Sequence, residues 1–130
     1  MTQPFLRLLC LASVVAAPAG CSQERPLPNV PEVAVSGRIS RGGRPLQAGW
    51  VEIVPVDGGQ GVLRSGEIGR DGLFEVTRLG PGKHGVRVVV PRDKSLFPFD
   101  QFYSPIRRTL TDQPQQQMEI NLDSESRQLN

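Results

Sequence analysis

Apolar and polar residues alternate along much of the chain after residue 32, and a period of two predicts β-strands. The clearest strand runs from Leu73 to Leu79, between the turn-forming pair Asp71-Gly72 and a Gly-Pro-Gly break at 80–82. The same reasoning predicts strands at 33–40, 50–56, 62–68, 86–90, 107–111 and 118–122. Seven short strands separated by turn signals predict an all-β antiparallel sandwich of two sheets.

The alternation also predicts which side chains fill the space between the two sheets. Each of these residues is apolar and lies in phase with its neighbours on one face of a strand. They are Val35, Ile39, Val51, Ile53, Phe74, Val76, Val86, Val88, Ile120 and Leu122. The sandwich is expected to occupy residues 33–123, and the polar residues 124–130 are expected to form a frayed tail.

The first twenty residues have the pattern of an export signal, with a short apolar core followed by small residues. Cleavage after Gly20 would make Cys21 the first residue, whereas cleavage after Ala19 is the alternative. The end of this segment resembles a bacterial lipobox, whose cysteine is acylated, although Pro18 departs from the usual aliphatic residue. Because Cys10 would leave with the leader, Cys21 would have no partner for an internal disulfide. We therefore predict Cys21 as a lipidation site, with a chance cysteine as the alternative.

Residues 21–32 include Pro26, Pro28 and Pro31 among polar residues, which predicts an extended tether. A leader, a lipid and a tether together predict a protein of the cell envelope, anchored to the periplasmic or outer side of a membrane. The chain has 15 Lys and Arg against 13 Asp and Glu, a formal net charge of +2, and its arginines are scattered. This distribution argues against nucleic-acid binding, which normally needs a clustered basic face.

Four short motifs stand in a fixed order along the predicted sandwich: VSGRI at 35–39, GRPL at 43–46, DGLFEV at 71–76 and PGKHGV at 81–86. Their order and spacing resemble the carboxypeptidase regulatory-like domain family, in which a tyrosine usually stands where this chain has His84. The resemblance covers about residues 33–123. It implies a seven-stranded Greek-key sandwich of the transthyretin type, and short bacterial lipoproteins with one such domain are the nearest relatives implied. The family comes with no known reaction.

The chain has few residues suited to catalysis. Two enzyme families have folds related to the transthyretin type. Hydroxyisourate hydrolases use several histidines, and intradiol dioxygenases hold iron with two tyrosines and two histidines. This chain has one histidine, His84, and one tyrosine, Tyr103. One histidine and one acylated cysteine do not supply three zinc ligands. The aspartates follow no EF-hand spacing, although calcium binding by carboxylates alone remains open. We predict no catalytic residue, no metal and no cofactor, and we expect His84 to be half-buried at the start of a strand.

Aromatic residues concentrate between the fifth and sixth predicted strands. Four of the six aromatic residues beyond the leader lie there: Phe97, Phe99, Phe102 and Tyr103. In one interpretation the rings fold back and close the sandwich. In the other they form a partner-binding platform, rimmed by Arg92, Lys94, Arg107 and Arg108, for an anionic or glycan-like partner. Exposure of at most one of Phe97 and Phe99 would favour closure, and exposure of both would favour the platform.

Three functions remain open at the level of sequence. The preferred one is a non-catalytic, membrane-anchored lipoprotein whose sandwich binds an envelope protein or a glycan, or has a structural role. The second is an accessory subunit of a larger envelope transport or polysaccharide system. The third is an enzyme of unrecognised type, which would need convergent titrating groups in a pocket.

Overall fold

Eight short strands form the framework of the computed structural model, which describes residues 29–130. The predicted leader, Cys21 and most of the predicted tether lie outside the described residues. The strands are β1 (Val33–Arg41), β2 (Arg44–Pro45), β3 (Trp50–Pro55), β4 (Arg64–Glu67), β5 (Leu73–Leu79), β6 (Gly82–Val89), β7 (Arg107–Leu110) and β8 (Gln115–Asn121). A 3₁₀ turn, Lys94–Leu96, and one helix, α1 (Leu122–Arg127), accompany them. None of the helices within 29–130 has the length and apolar character needed to cross a bilayer.

The strands form two sheets. In the first sheet, β1 pairs with β2 and β5 in antiparallel fashion and with β8 in parallel fashion. In the second sheet, the strands follow the order β4-β3-β6-β7, and every pair is antiparallel. The chain is therefore nearly all β, in two sheets, as the sequence predicted.

The prediction of seven antiparallel strands is wrong in two respects. Residues Arg44–Pro45 add a short strand, β2, which folds back onto the end of β1. Strand β8 runs parallel to β1, from the pair Ala34 and Gln115 to the pair Ser40 and Asn121. The reason is connectivity, because β8 enters the first sheet from β7 in the second sheet rather than through a hairpin from β1.

The expected frayed tail is also wrong, because residues 122–127 form helix α1. The Asn121 side chain caps this helix by accepting hydrogen bonds from the backbone amides of Asp123 and Ser124. Acidic residues in the first turn and Arg127 in the last turn complement the helix dipole. Leu122, predicted to end the last strand, begins the helix instead and remains buried.

All ten residues predicted to form the core are buried between the sheets. The structure adds Leu96, Phe99 and Ile106 from the connection between β6 and β7 to the same cluster. Gly37 explains how the first sheet fits around Phe74, because a Cβ at this position would lie 1.8 Å from the Met118 carbonyl oxygen and 3.0 Å from the Phe74 ring. Only glycine therefore allows β8 and the Phe74 ring to approach β1 so closely.

Candidate partner-binding surface

The connection between β6 and β7, residues 90–106, is called here the aromatic connection. Its backbone continues the edge of the second sheet where β7 stops. The Val86 amide donates to the Ile106 carbonyl at 3.0 Å, and the Val88 amide donates to the Phe99 carbonyl at 2.9 Å. The Leu96, Phe99 and Ile106 side chains point into the core. The aromatic connection is thus tied to β6 at residues 99 and 106 although it has no regular strand.

Two arginines on the outer face of the second sheet hold the middle of the aromatic connection. Arg87 Nε donates to the Asp100 carbonyl at 2.6 Å, and its Nη1 lies 2.8 Å from Glu52 Oε2. Arg107 Nη1 donates to the Ser104 carbonyl and, at 3.3 Å, to the Ile106 carbonyl. The carbonyl groups of residues 100 and 104 therefore accept hydrogen bonds from charged side chains of the second sheet, and such bonds are stronger than those between neutral groups.

The position of the two arginines follows from strand register. Arg107 pairs with Gly85, two residues before Arg87 on β6, so both guanidinium groups project from the same face. A Cβ at residue 85 would lie 3.1 Å from Arg107 Nη1. The absence of a side chain at Gly85 lets the Arg107 guanidinium lie across β6.

The aromatic connection exposes three of its four rings. Phe97 and Phe102 are each 67% exposed and Tyr103 is 72% exposed, whereas Phe99 is 4% exposed. Of Phe97 and Phe99, only Phe97 is exposed, which is the outcome that favours closure of the sandwich. The buried ring of Phe99 is the one that closes it. A buried Phe99 offers no ring to a partner, so the candidate surface consists of the other three.

The exposed rings lie on short turns rather than on a free loop. The Gln101 amide donates to the Pro98 carbonyl at 3.1 Å, and the Ser104 amide donates to the Gln101 carbonyl at 2.9 Å. Phe102 and Tyr103 fall within the second of these turns. Arg87 holds Asp100, directly before this turn, and Arg107 holds Ser104, its last residue, so Phe102 and Tyr103 project from a constrained backbone.

Arg108 has a different role from the rim position that the sequence suggested. Its guanidinium donates to the Arg107 carbonyl at 2.9 Å, to the Glu119 carbonyl at 3.4 Å and to the Glu125 carboxylate. These bonds connect β7 of the second sheet with β8 of the first and with helix α1. Arg108 therefore braces the open side of the sandwich, and its charge is already paired with Glu125.

Charged residues flank the start of the aromatic connection. Asp93 accepts hydrogen bonds from the Ser95 hydroxyl and from the Ser95 amide at 3.0 Å, and it lies 3.7 Å from Arg41. The Ser95 hydroxyl, the Ser95 amide and the Arg41 charge together lower the pKa of Asp93. Arg92 and Lys94 on either side are exposed and form no ion pair within residues 29–130. Two cations without an ion-pair partner among the described residues therefore lie on the segment that leads to Phe97.

A groove lies on the outer face of the first sheet. It is an open groove of about 980 Å³ that is lined by both arginines and carboxylates. Its charged residues are Arg38, Arg70, Glu67, Glu75 and Glu119. None of the exposed aromatic rings lines it, so this groove lacks the stacking surfaces of the aromatic connection.

His84, the single histidine of the chain, is completely buried rather than half-buried. Its Nδ1 lies 2.9 Å from the Gly82 carbonyl oxygen, and its Nε2 has no hydrogen-bond partner among the described residues. Across residues 29–130, no three His, Cys, Asp or Glu side chains are grouped closely enough to hold a metal ion. The histidine thus faces the core on the same side of β6 as Val86 and Val88.

Comparisons with known proteins leave the chain without an assigned family. No family model and no curated protein matches it. Among solved structures, a DUF3823 family protein from Parabacteroides merdae matches with 14% sequence identity and a TM-score of 0.48. The alignment covers 72% of this chain and 46% of that protein, so this chain spans less than half of its length.

Sequence reasoning identified the aromatic connection but missed its main support. In the sequence Arg87 is a polar position between Val86 and Val88, and its bond to the Asp100 carbonyl joins residues 13 apart. The outward direction of Arg87 follows from strand alternation. The carbonyl that it binds has no sequence signature, because every residue has one.

Proposed function

We propose that this chain is a lipid-anchored, non-catalytic binding module of the cell envelope, and that the aromatic connection is the surface that contacts its partner. The observation that carries this proposal is the exposure of Phe102 and Tyr103 on a backbone that Arg87 and Arg107 hold in place, with Phe97 exposed three residues before Asp100. Exposed rings on a constrained backbone lose little conformational entropy on binding. Large aromatic side chains also contribute strongly to binding contacts.

The anchor is proposed from sequence. Ala19-Gly20-Cys21 after a short apolar core supports acylation of Cys21, and the proline-rich residues 21–32 suit a tether. The motif order at 35–86 supports the finer classification as a carboxypeptidase regulatory-like sandwich with Greek-key connections. In this proposal the protein is attached to a membrane on its periplasmic or outer side.

The absence of catalysis is likewise a proposal. Acid–base and nucleophilic mechanisms commonly use a histidine that can reach the substrate. The single histidine, His84, lies on β6 with its side chain completely buried, and its Nδ1 is directed at the Gly82 carbonyl. This burial supports a binding role over an enzyme of unrecognised type.

The partner that best fits the surface is an anionic glycan. Aromatic rings stack on the apolar faces of sugar rings. The Gln101 side chain, next to Phe102, donates from Nε2 to Asp100 Oδ1 at 2.9 Å, and its amide oxygen can accept a hydrogen bond from a sugar hydroxyl. Arg92 and Lys94, which have no ion-pair partner within residues 29–130, supply positive charge on the segment before Phe97 for carboxylates or phosphates. An envelope protein with an acidic surface, bound by an accessory subunit of a larger system, is the alternative partner.

A sedimentation assay tests this assignment. The mature protein is mixed with purified peptidoglycan, with alginate as a soluble acidic glycan, and with neutral dextran as the uncharged reference. Binding is measured by co-sedimentation or by calorimetry. We expect an acidic glycan to bind and the double variant Phe102→Ser/Tyr103→Ser to lose that binding at an unchanged melting temperature.

The matched control is Leu73→Ser, which removes an exposed apolar side chain from the outer face of the first sheet. It should bind as the unaltered protein does. Equal binding by the double variant, or no binding of any acidic glycan, would exclude the glycan assignment. Mass spectrometry of the mature N-terminal peptide tests the anchor separately, and an unmodified chain that begins at Gly20 would remove it.

A further inference from the structure

The chain enters the sandwich at one end, which is called here the entry end. Val33, the first residue of β1, pairs with Leu79, and Ala34 pairs with Gln115, so the turns after β5 and before β8 lie there. Glu32 lies 4.0 Å from Arg78 at the same place. The segment that follows the predicted lipid site is therefore attached to the sandwich at this end.

The connection between β3 and β4, residues 56–63, also lies at the entry end. Its Gln60 amide donates to the Pro81 carbonyl at 3.0 Å. A Cβ at Gly61 would lie 2.9 Å from the Gly80 nitrogen, so the two backbones are in contact. Val62 and Leu63 follow at once, and each is 41% exposed. Two adjacent apolar side chains thus project beside the point where the chain enters.

The length of the preceding segment favours one orientation on a membrane. The twelve residues 21–32 reach at most about 40 Å when fully extended. The nine residues of β1 span about 30 Å. To place the opposite end of the sandwich on the lipid, the segment would have to run back along the whole of β1 and would use most of its reach.

We infer that the entry end rests on the lipid surface with Val62 and Leu63 in contact with it, and that the aromatic connection is turned away. This inference rests on the lipid anchor proposed above. Apolar side chains beside an acylated terminus add buried area to the anchor, which is how two weak signals give stable attachment. Because Glu32 is paired with Arg78, the acidic residue closest to the entry point has its charge offset.

The same orientation leaves the aromatic connection accessible. The Phe99 carbonyl binds the Val88 amide, near the far end of β6, whereas the entry end lies at Gly82. Six residues of strand separate these positions, a distance of about 20 Å. Phe102 and Tyr103 would then stand above the lipid surface, where a glycan or another envelope component can reach them.

Single engineered cysteines test the orientation. Because Cys10 lies in the leader and Cys21 carries the lipid, a cysteine introduced by Leu63→Cys, Phe102→Cys or Leu73→Cys is the single free thiol of the mature chain. Each variant is purified as the mature lipoprotein, labelled with a nitroxide and inserted into phosphatidylethanolamine–phosphatidylglycerol vesicles. Paramagnetic resonance then compares collisions of the label with oxygen, which enters the bilayer, and with a nickel chelate, which stays in water.

We expect the label at residue 63 to lose most of its accessibility to the nickel chelate, and the labels at 73 and 102 to keep theirs. A label at 63 that is as accessible as the other two would overturn the inference, as would shielding of the label at 102. The N-terminal peptide of each preparation is checked by mass spectrometry. A lipidated chain with an accessible residue 63 refutes the orientation alone, whereas a chain without lipid refutes the anchor and the orientation together.

Discussion

The two connections within the second sheet are held in place by opposite means. The glycine connection, residues 56–63, packs backbone against backbone, and its Gly59 amide donates to the Val56 carbonyl at 2.8 Å. The aromatic connection is held by buried side chains such as Phe99 and by the guanidinium groups of Arg87 and Arg107. The glycine connection depends on the absence of side chains at its glycines, and the aromatic connection depends on a few large side chains. Of the two, the aromatic connection is therefore the one that has exposed aromatic rings available for recognition.

The largest expected effect concerns the side chain that fastens the aromatic connection to the core. Phe99→Ala should lower the free energy of unfolding by about 3 to 5 kcal/mol, because it leaves a cavity where a buried ring packs. Phe97→Ala, two residues earlier and exposed, should change it by no more than about 0.5 kcal/mol. Urea unfolding of both variants measures the difference. Equal effects would mean that Phe99 does not anchor the connection.

The matching test of the glycine connection adds a single methyl group. A Cβ at Gly59 would lie 2.1 Å from the Lys83 carbonyl oxygen, so Gly59→Ala should cost about 1 to 3 kcal/mol through overpacking. Gly58 has a φ of 84° and open space around it, so Gly58→Ala should cost only the left-handed strain, about 1 kcal/mol. Thermal or urea unfolding ranks the two. A larger loss at Gly58 would contradict the close packing.

Sequence reasoning succeeded where local alternation determines the outcome. Phe74 and Val86 lie in strands, so their neighbours in sequence predict their direction. It left the directions of Phe97 and Phe99 open. These residues are two positions apart, yet one is exposed and the other buried, because turns and not a strand set their directions. The parallel pairing of β8 with β1 could not be predicted either, because a strand's own sequence does not determine the strand with which it pairs.

For the candidate surface, too, the sequence predicts some features and not others. The concentration of aromatic residues is visible in the sequence, whereas the buried state of Phe99 depends on the path of the whole connection. Arg107 and Arg108 are adjacent, so alternation predicts opposite directions for them, but only the structure reveals that Arg108 meets Glu125 on α1. That helix was itself missed, although Asn121 and the acidic first turn are helix-start signals.

A smaller effect is expected for the charged support of the aromatic connection. Arg87→Met should lower the free energy of unfolding by about 1 to 2 kcal/mol, because it removes hydrogen bonds to the Asp100 carbonyl and to Glu52. Hydrogen exchange at the Gln101 and Ser104 amides should accelerate. Arg38→Met, on the outer face of the first sheet, is the control and should leave those amides unchanged. Unaltered exchange in Arg87→Met would mean that the guanidinium does not constrain the turn.

The smallest effect is expected at Asp93, whose pKa is held below its ordinary value of 3.8 by the Ser95 hydroxyl and amide and by Arg41. A lowered pKa in the folded protein means that the ionised form stabilises the fold above 3.8 and that this contribution disappears as the pH falls through the folded value. Asp93→Asn should therefore lower the melting temperature slightly at neutral pH and not at all well below pH 3.8. Ser95→Ala should show the same pattern. A loss that is independent of pH would contradict this origin.

Nuclear magnetic resonance of the ¹⁵N-labelled protein tests the central claim most directly, because it locates bound ligand on the two rival surfaces at once. An acidic glycan oligomer is titrated into the protein, and the amide shifts are followed residue by residue. The account predicts that the largest changes fall between Phe97 and Ser104 and that the groove beside Arg38 and Glu75 stays unchanged. Changes confined to that groove, or spread evenly over both sheets, would contradict it.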